Sequence, residues 1–210
     1  MCLLTGSVVI SIVLLTLAPT GASAEQGGLE KRVAALEAIL QFVRVESEPI
    51  NGLAGPHWIF EGANVHVRSG SGSTHPCPDA PVCAESSGLG NLVVGYNEEL
   101  PSAARLRQGT HNLVVGPEHA YLSSGGFVAG RHNSVWGQSA SVAGGAENLA
   151  LGDNASICGG ERNDASGTSS SVGGGFENSA RGDFSSVSGG EDRIAENDLN
   201  WAAGSLFEEN

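Results

Sequence analysis

The side chains best suited to acid–base or metal chemistry are six histidines, all in the first two thirds of this 210-residue sequence. No two of them have the spacing of metal ligands on one recognisable helix or strand pair. The serines recur too regularly for one to be assigned as a nucleophile beside a histidine and an aspartate. We therefore predict no enzymatic activity, no metal and no cofactor, and we interpret the histidines as solvated or turn-capping residues.

Two short motifs point to other chemistry. Gly152-Asp153 and Gly182-Asp183 are similar to the turns of calcium-binding β-solenoids, but those repeats have nine residues with an aspartate in each copy, and Thr168 interrupts the series here. Arg181-Gly182-Asp183 spells an integrin-recognition tripeptide. The equivalent segments Leu151-Gly152-Asp153 and Ser166-Gly167-Thr168 show how drift within a repeat produces it, so we predict a function for neither motif.

The cysteines are the next candidates. Cys77 and Cys83 enclose a short loop with two prolines, and in an oxidising compartment a local disulfide is the simplest prediction. A metal site would need more ligands than these two and His75. Cys158 occupies a position that other repeats fill with alanine, glycine or serine, so we expect a small packed residue without chemistry.

Composition excludes several partners. The formal charge is -13, from 10 basic and 23 acidic side chains, which disfavours nucleic acid and anionic lipid surfaces. Phe, Trp and Tyr together number 11, there is a single Met, and 31 residues are Gly. An ordinary core of large side chains is therefore not expected, and a repetitive β architecture is favoured.

The N-terminal 24 residues carry no charged side chain and contain a short apolar run followed by Ala22-Ser23-Ala24. This pattern predicts a secretory signal at residues 1–24, cleaved before Glu25, and hence a secreted or cell-surface protein with no membrane span in the mature chain. The alternative is a retained anchor helix, although the run is short for a membrane span.

Residues 25–46 hold the one helical pattern. Apolar residues spaced 4, 3, 4 and 3 apart predict a short coiled-coil helix, because that spacing forms a heptad seam. So short a helix needs a partner in water, most simply its own copies; docking on its own domain is the alternative. The predicted oligomerisation residues are Leu29, Val33, Leu36, Leu40 and Val43.

Internal repeats dominate the rest of the chain. Segments beginning at Ser141, Ser156, Ser171 and Ser186 share the pattern Ser-x-x-Gly-Gly and recur at one constant spacing. A related Asn-x-Val-x-Gly half-repeat extends back through Asn133, Asn112 and Asn91, at wider spacings where loops are inserted. These periods predict an all-β parallel β-roll or β-solenoid with coils of about 15 residues. We expect irregular coils over 47–132 and regular ones over 133–210.

Each coil divides into two similar halves, so we predict two short strands per coil. Alternation points one set of small apolar or serine side chains inward. Asn148, Asn163 and Asn178 are expected to stack as a ladder that bonds to the turn backbone. The predicted inward residues are Ala140, Val142, Ala150, Ala155, Ile157, Ala165, Ser170, Val172 and Ala180.

So thin an interior predicts an oligomer. One buried Val stabilises by about 1.5 to 3 kcal/mol, whereas ordering each backbone unit costs about 1 to 2 kcal/mol. Backbone hydrogen bonds and lateral packing against other subunits must supply the difference.

Copies such as Asn133-Ser134-Val135-Trp136-Gly137 and Asn148-Leu149-Ala150-Leu151-Gly152 resemble the head repeats of trimeric autotransporter adhesins, whose pattern is Asn-Ser-Val-Ala-Ile-Gly. The resemblance covers about residues 90–204. It implies a left-handed parallel β-roll, a homotrimer and a role in binding host matrix or other surfaces. The chain departs from that family in placing its coiled coil before the roll and in having no long stalk or C-terminal membrane strands.

The irregular loops 69–88, 96–110 and 117–125 are the predicted binding regions, because insertions in solenoids lie on the surface. The alternative is that they cap the first coils and shield the sheet edge. We predict a secreted, non-enzymatic, adhesin-like or structural module that binds an extracellular protein or glycan; an ice-binding β-solenoid and a phage-type fibre tip are the alternatives. The candidate binding residues are Tyr96, Arg105, Arg107, His119 and Tyr121.

Overall fold

A computed structural model describes residues 22–74, 87–98 and 106–204. The chain divides into two compact units, one up to Val65 and the other from His66 onward. The sequence analysis divides the chain between residues 46 and 47, whereas the residues after the helix form a hairpin that belongs to the first unit. The predicted disulfide partners Cys77 and Cys83 lie outside the described residues, as does Arg105.

The first unit contains helix α1, Ala22–Leu40, and an antiparallel hairpin of strands β1, Val43–Glu46, and β2, His57–Phe60. The helix is shorter than the predicted 25–46 at its C-terminal end. Val43, the last residue of the predicted seam, instead begins β1. The heptad pattern extends one step too far because Val43 and Val45 also satisfy the alternation of a strand.

The second unit is a parallel β-solenoid, as the repeat period predicts. The first sheet has eight strands and the second has six. Strands of the first sheet are β3 Leu92–Val94, β4 Leu113–Val115, β6 Phe127–Ala129, β8 Ser141–Val142, β10 Ser156–Ile157, β12 Ser171–Val172, β14 Ser186–Val187 and β16 Trp201–Ala202. Those of the second sheet are β5 Ala120–Tyr121, β7 Ser134–Val135, β9 Leu149–Ala150, β11 Asp164–Ala165, β13 Ser179–Ala180 and β15 Ile194–Ala195.

Successive coils pair in register. Ser156 lies opposite Ser141 on one side and Ser171 on the other, each one repeat away. A third side of each coil is joined by isolated parallel bridges through Arg131, Ala146, Glu161, Phe176 and Glu191. From Arg131 to Glu191, successive coils are therefore joined along three lines of backbone pairing.

The interior of the solenoid follows the predicted alternation. All nine predicted inward residues are buried, including Ser170, which is 1% exposed. The same pattern extends to the earlier coils, where Val114 and Val128 are fully buried. The buried residues of the two sheets form one hydrophobic cluster of small and medium-sized side chains.

The predicted asparagine ladder is also present. The backbone N–H of Asn163 donates to Asn148 Oδ1 at 2.9 Å, and that of Asn178 donates to Asn163 Oδ1 at 3.0 Å. The Asn163 Nδ2 group donates to the carbonyls of Gly159 and Gly175 at 3.0 and 3.1 Å. The side chain of Asn163 therefore bonds to three backbone groups, one in its own coil and two in the next.

Asn91 and Asn112 do not belong to this ladder. They precede β3 and β4 of the first sheet, whereas Asn133 precedes β7 of the second. The Asn112 N–H donates to Asn91 Oδ1 at 2.8 Å, so the two form a separate ladder. The half-repeats look alike because the bends before both strands need the same side-chain cap.

Candidate binding surfaces

Four of the five predicted binding residues lie in the described part of the chain, and they differ widely in exposure. Tyr96 is 94% exposed, but His119 is 0% and Tyr121 7% exposed. Both His119 and Tyr121 are therefore buried inside the first coils, unlike Tyr96.

His119 takes an asparagine's place in the ladder of the second sheet. Its backbone N–H donates to Asn97 Oδ1 at 2.8 Å, and its Nδ1 accepts the N–H of Asn133 at 3.2 Å. Its Nε2 lies 3.0 Å from the carbonyl of Val115, which can only accept, so Nε2 carries the hydrogen. The geometry therefore requires the neutral ring.

Electrostatics agree with that assignment. Burial lowers the pKa of His119 below its usual 6.5. Hydrogen bonds to backbone groups favour the charged form and oppose this shift, but the effect of burial is larger. A proton on Nδ1 would face the Asn133 N–H and break the link between two coils. Burial likewise raises the pKa of Tyr121.

Arg107 links the segment at Asn97 and Glu98 to His119 through hydrogen bonds. Its Nε donates to the carbonyl of His119 at 3.0 Å, and its Nη2 donates to the carbonyl of Glu98 at 2.8 Å. A longer bond of 3.4 Å joins Nη2 to Asn97 Oδ1. These bonds support the alternative interpretation of this loop, in which it caps the first coils.

The acidic and tripeptide motifs are also part of the framework. Asp153 Oδ1 accepts the N–H of Gln138, and Asp183 Oδ1 accepts that of Thr168, both at 2.8 Å and both from the preceding coil. Arg181 Nη1 donates to Glu196 at 2.9 Å. Within the described ranges, no group of three or more His, Cys, Asp or Glu could hold a metal ion.

Cys158 differs from expectation because it is exposed. Ile157 points inward, so alternation directs Cys158 outward from the first sheet, as for Ala143, Gly173 and Ser188 in neighbouring coils. The position lies on the surface in these coils, although at Gly173 an added Cβ would meet the carbonyl oxygen of Ser188 at 2.5 Å.

Outward positions of the first sheet change character along the solenoid. The first coils present Leu92, Leu113 and Phe127 in register. The next four present Ser141, Ser156, Ser171 and Ser186, and the last strand presents Trp201, which is 69% exposed. In this register, large apolar side chains therefore occupy β3, β4 and β6, serines occupy the next four strands, and Trp201 occupies the last.

The second sheet shows the same gradient. Three of its outward residues, Leu122, Trp136 and Leu151, directly follow the adjacent strands β5, β7 and β9, and Leu149 lies on β9. These four residues are called here the Trp136 patch. Beyond it, the equivalent positions hold Asp164, Ser179 and Arg181, and then Ile194 on the last strand, which is 50% exposed. The sequence already contained the signal for this patch, since Trp136 and Leu151 directly follow the inward Val135 and Ala150.

Asp164 borders the Trp136 patch, because β11 pairs with β9 and sets Asp164 opposite Leu149. Burial raises its pKa above the usual value, partly offset by the positive charge of Arg181 and a hydrogen bond with Ser166. Its Oδ1 is buried with no hydrogen-bond partner. The neighbouring apolar side chains therefore make this surface less hydrated than an ordinary exposed sheet.

No family model, no curated protein and no solved structure matches this chain. Among the helices in the described part of the chain, none is long and apolar enough to cross a membrane.

Proposed function

We propose that this protein is a secreted, non-enzymatic homotrimer that attaches to an extracellular protein or glycan surface through the apolar outward faces of its first coils. The observation that carries this proposal is the Trp136 patch, in which an aromatic ring that is 37% exposed and three leucines occupy outward positions of adjacent coils. Aromatic side chains surrounded by partly buried aliphatic ones are typical anchors of interfaces. The resemblance to trimeric adhesin heads favours the same role.

The non-enzymatic part of the proposal rests on how the polar residues are used. His119, Arg107, Asp153 and Asp183 all hold one coil to another through hydrogen bonds. Groups fixed in this way are poor candidates for proton transfer to a substrate, because moving them would open the solenoid.

Binding is tested with the purified mature chain, residues 25–210, on cells, matrix proteins and a glycan array. Trp136→Ser introduces the residue found at the equivalent position 166 of a later coil. It should weaken binding about tenfold or more, because the aromatic anchor is lost. Phe184→Ser is the matched control, since Phe184 is 61% exposed at a turn where other coils have Ser139 and Ser169. Equal binding by both variants would contradict the assignment of the Trp136 patch.

Assembly is tested separately with Leu36→Asp, which would place a charge from each subunit in one layer of the helical seam. Burying those charges is costly, so we expect association to weaken by about 100-fold or more. Ala35→Asp, on the exposed surface beside the seam, is the control. The measurement is light scattering coupled to size exclusion, and a wild-type monomer would refute the trimer.

An ice-binding function is the second candidate, favoured by the in-register row Ser141, Ser156, Ser171 and Ser186. The Ser171 hydroxyl donates to Ser186 Oγ at 3.0 Å, so part of this array bonds to itself and not to water. Thermal hysteresis of the soluble protein decides the matter: its presence would favour ice binding, and its absence would remove that alternative.

A further inference from the structure

The N-terminal unit has no interior of its own. No described side chain from residue 28 to residue 65 is buried. The helix seam residues Leu29, Leu36 and Leu40 are more than half exposed, at 58%, 57% and 54%. A unit with this much apolar surface in water gains little stability from hydrophobic burial and needs a partner.

The hairpin contributes a second apolar surface of its own. Val43 lies opposite Phe60, and Val45 lies opposite Trp58. Directly opposed residues share a face, and positions two apart along a strand share it too. Val43, Val45, Trp58 and Phe60 therefore form one face, called here the hairpin face.

This hairpin face is largely exposed. Val45, Trp58 and Phe60 are 56%, 70% and 52% exposed. The opposite face is polar at three of its four positions and carries ion pairs from Arg44 to Glu46 and Glu61, at 3.4 and 3.8 Å. A lone two-stranded hairpin is marginal in water, so a side as apolar as this one requires a cover.

Charge indicates that the cover is another copy of the chain in the same orientation. With Leu29 and Leu36 at heptad position d and Val33 at a, Arg32 falls at g and Glu37 at e. In a parallel bundle, g of one helix faces the following e of its neighbour, which pairs Arg32 with Glu37. In an antiparallel bundle, e faces e, which sets Glu30 against Glu37.

Chain continuity then brings the hairpins together. Leu40 ends the helix and Val43 begins the hairpin three residues later. Parallel helices place all hairpins at one end of the bundle, at high effective concentration. Antiparallel helices of 19 residues would separate them by about 28 Å.

We infer that the hairpin face is a self-association interface, packed against the same face of other copies as an apolar layer that extends the helical seam. This rests on the homotrimer proposed above. The layer explains why Val43 continues the heptad spacing although it lies in a strand.

The first test compares two neighbouring positions on opposite faces of β2 in the full mature chain. Trp58→Gln should raise the concentration of half-dissociation roughly tenfold or more, because a large apolar side chain is lost from the interface. His57→Gln introduces the same side chain on the polar face and should leave that concentration unchanged. Sedimentation equilibrium measures both, and equal effects would overturn the inference.

The second test keeps Trp58 intact, which guards against a variant that does not fold. In a Trp136→Phe, Trp201→Phe background, Trp58 is the remaining tryptophan. Its fluorescence should resist iodide quenching in the trimer and lose that protection when Leu36→Asp is added. A trimer with freely quenched Trp58 would refute the hairpin interface alone, whereas a wild-type monomer would refute the trimer itself.

Discussion

In the solenoid, the aliphatic side chains at the centre of each coil point inward and are almost fully buried, whereas in the N-terminal unit no described side chain is buried. The two regions therefore differ in what they need from other molecules. Each solenoid coil obtains backbone hydrogen bonds, an asparagine amide and a buried aliphatic residue from its neighbours in the same chain. In the N-terminal unit the two hairpin strands bond to each other but no described side chain is buried, so we expect this unit to depend more on the partner proposed above.

The strongest way to break this comparison is to disturb the stacking of coils from inside one chain. A methyl group on Gly167 would collide with the backbone carbonyl of Gly182 in the next coil. We expect Gly167→Ala to lower the free energy of unfolding of the solenoid by about 3 kcal/mol, since the backbone cannot move aside without parting the strands.

Gly159→Ala is the control, because a methyl group there meets nothing within 4 Å. Urea unfolding followed by circular dichroism measures both variants. A Gly167→Ala protein as stable as the control would show that the coils hold together less tightly than the hydrogen bonds suggest.

A medium effect is expected from pH, through His119. Its folded-state pKa lies below 6.5, so the unfolded chain takes up the proton first as the pH falls. The stability present above pH 6.5 is therefore lost progressively from there down to the folded-state pKa, with a slope of at most about 1.4 kcal/mol per pH unit.

His119→Asn restores the residue used by the other coils and should flatten this slope. Urea unfolding of both proteins between pH 7.5 and 5 isolates the difference from the other histidines. Parallel curves would contradict the neutral ladder role of His119.

The smallest effect concerns Asp164, beside the Trp136 patch. Its folded-state pKa is raised, so its favourable contribution is complete below the unfolded value of 3.8 and is lost as the pH rises through the folded-state pKa. Asp164→Asn should therefore stabilise the protein at pH 7, by less than about 1 kcal/mol because solvent screens a partly exposed group. Differential scanning calorimetry at pH 7 and pH 3.5 measures this, and a gain at pH 3.5 as large as at pH 7 would contradict it.

The sequence predicts the structure well where equivalent residues occupy the same environment in successive coils. Val142, Ile157 and Val172 recur at the same place in successive coils, so their period predicts both the strand and its inward face. Asn148, Asn163 and Asn178 were predictable for the same reason. So short and constant a period leaves few other ways to stack.

The same reasoning failed where one pattern fits two structures. Val43 satisfies a heptad and also a strand, and the strand formed. His119 was not recognised as a ladder residue because its ring replaces an amide, although it lies almost one full repeat before Asn133. Exposure of an aromatic or basic residue could not be inferred from its presence in a loop, which is why Tyr96 and Tyr121 ended in opposite environments.

Because the coils pair in constant register, the number of coils could change without altering the contacts between neighbouring coils. Each ladder bond of Asn148 or Asn163 reaches only the adjacent coil, so a duplicated segment such as 153–167 would meet the same partners above and below it. Every added coil would extend the stack by about 4.8 Å, the distance between neighbouring strands. The length of the solenoid can therefore change in steps of one coil, while the outward side chains of the other coils stay the same.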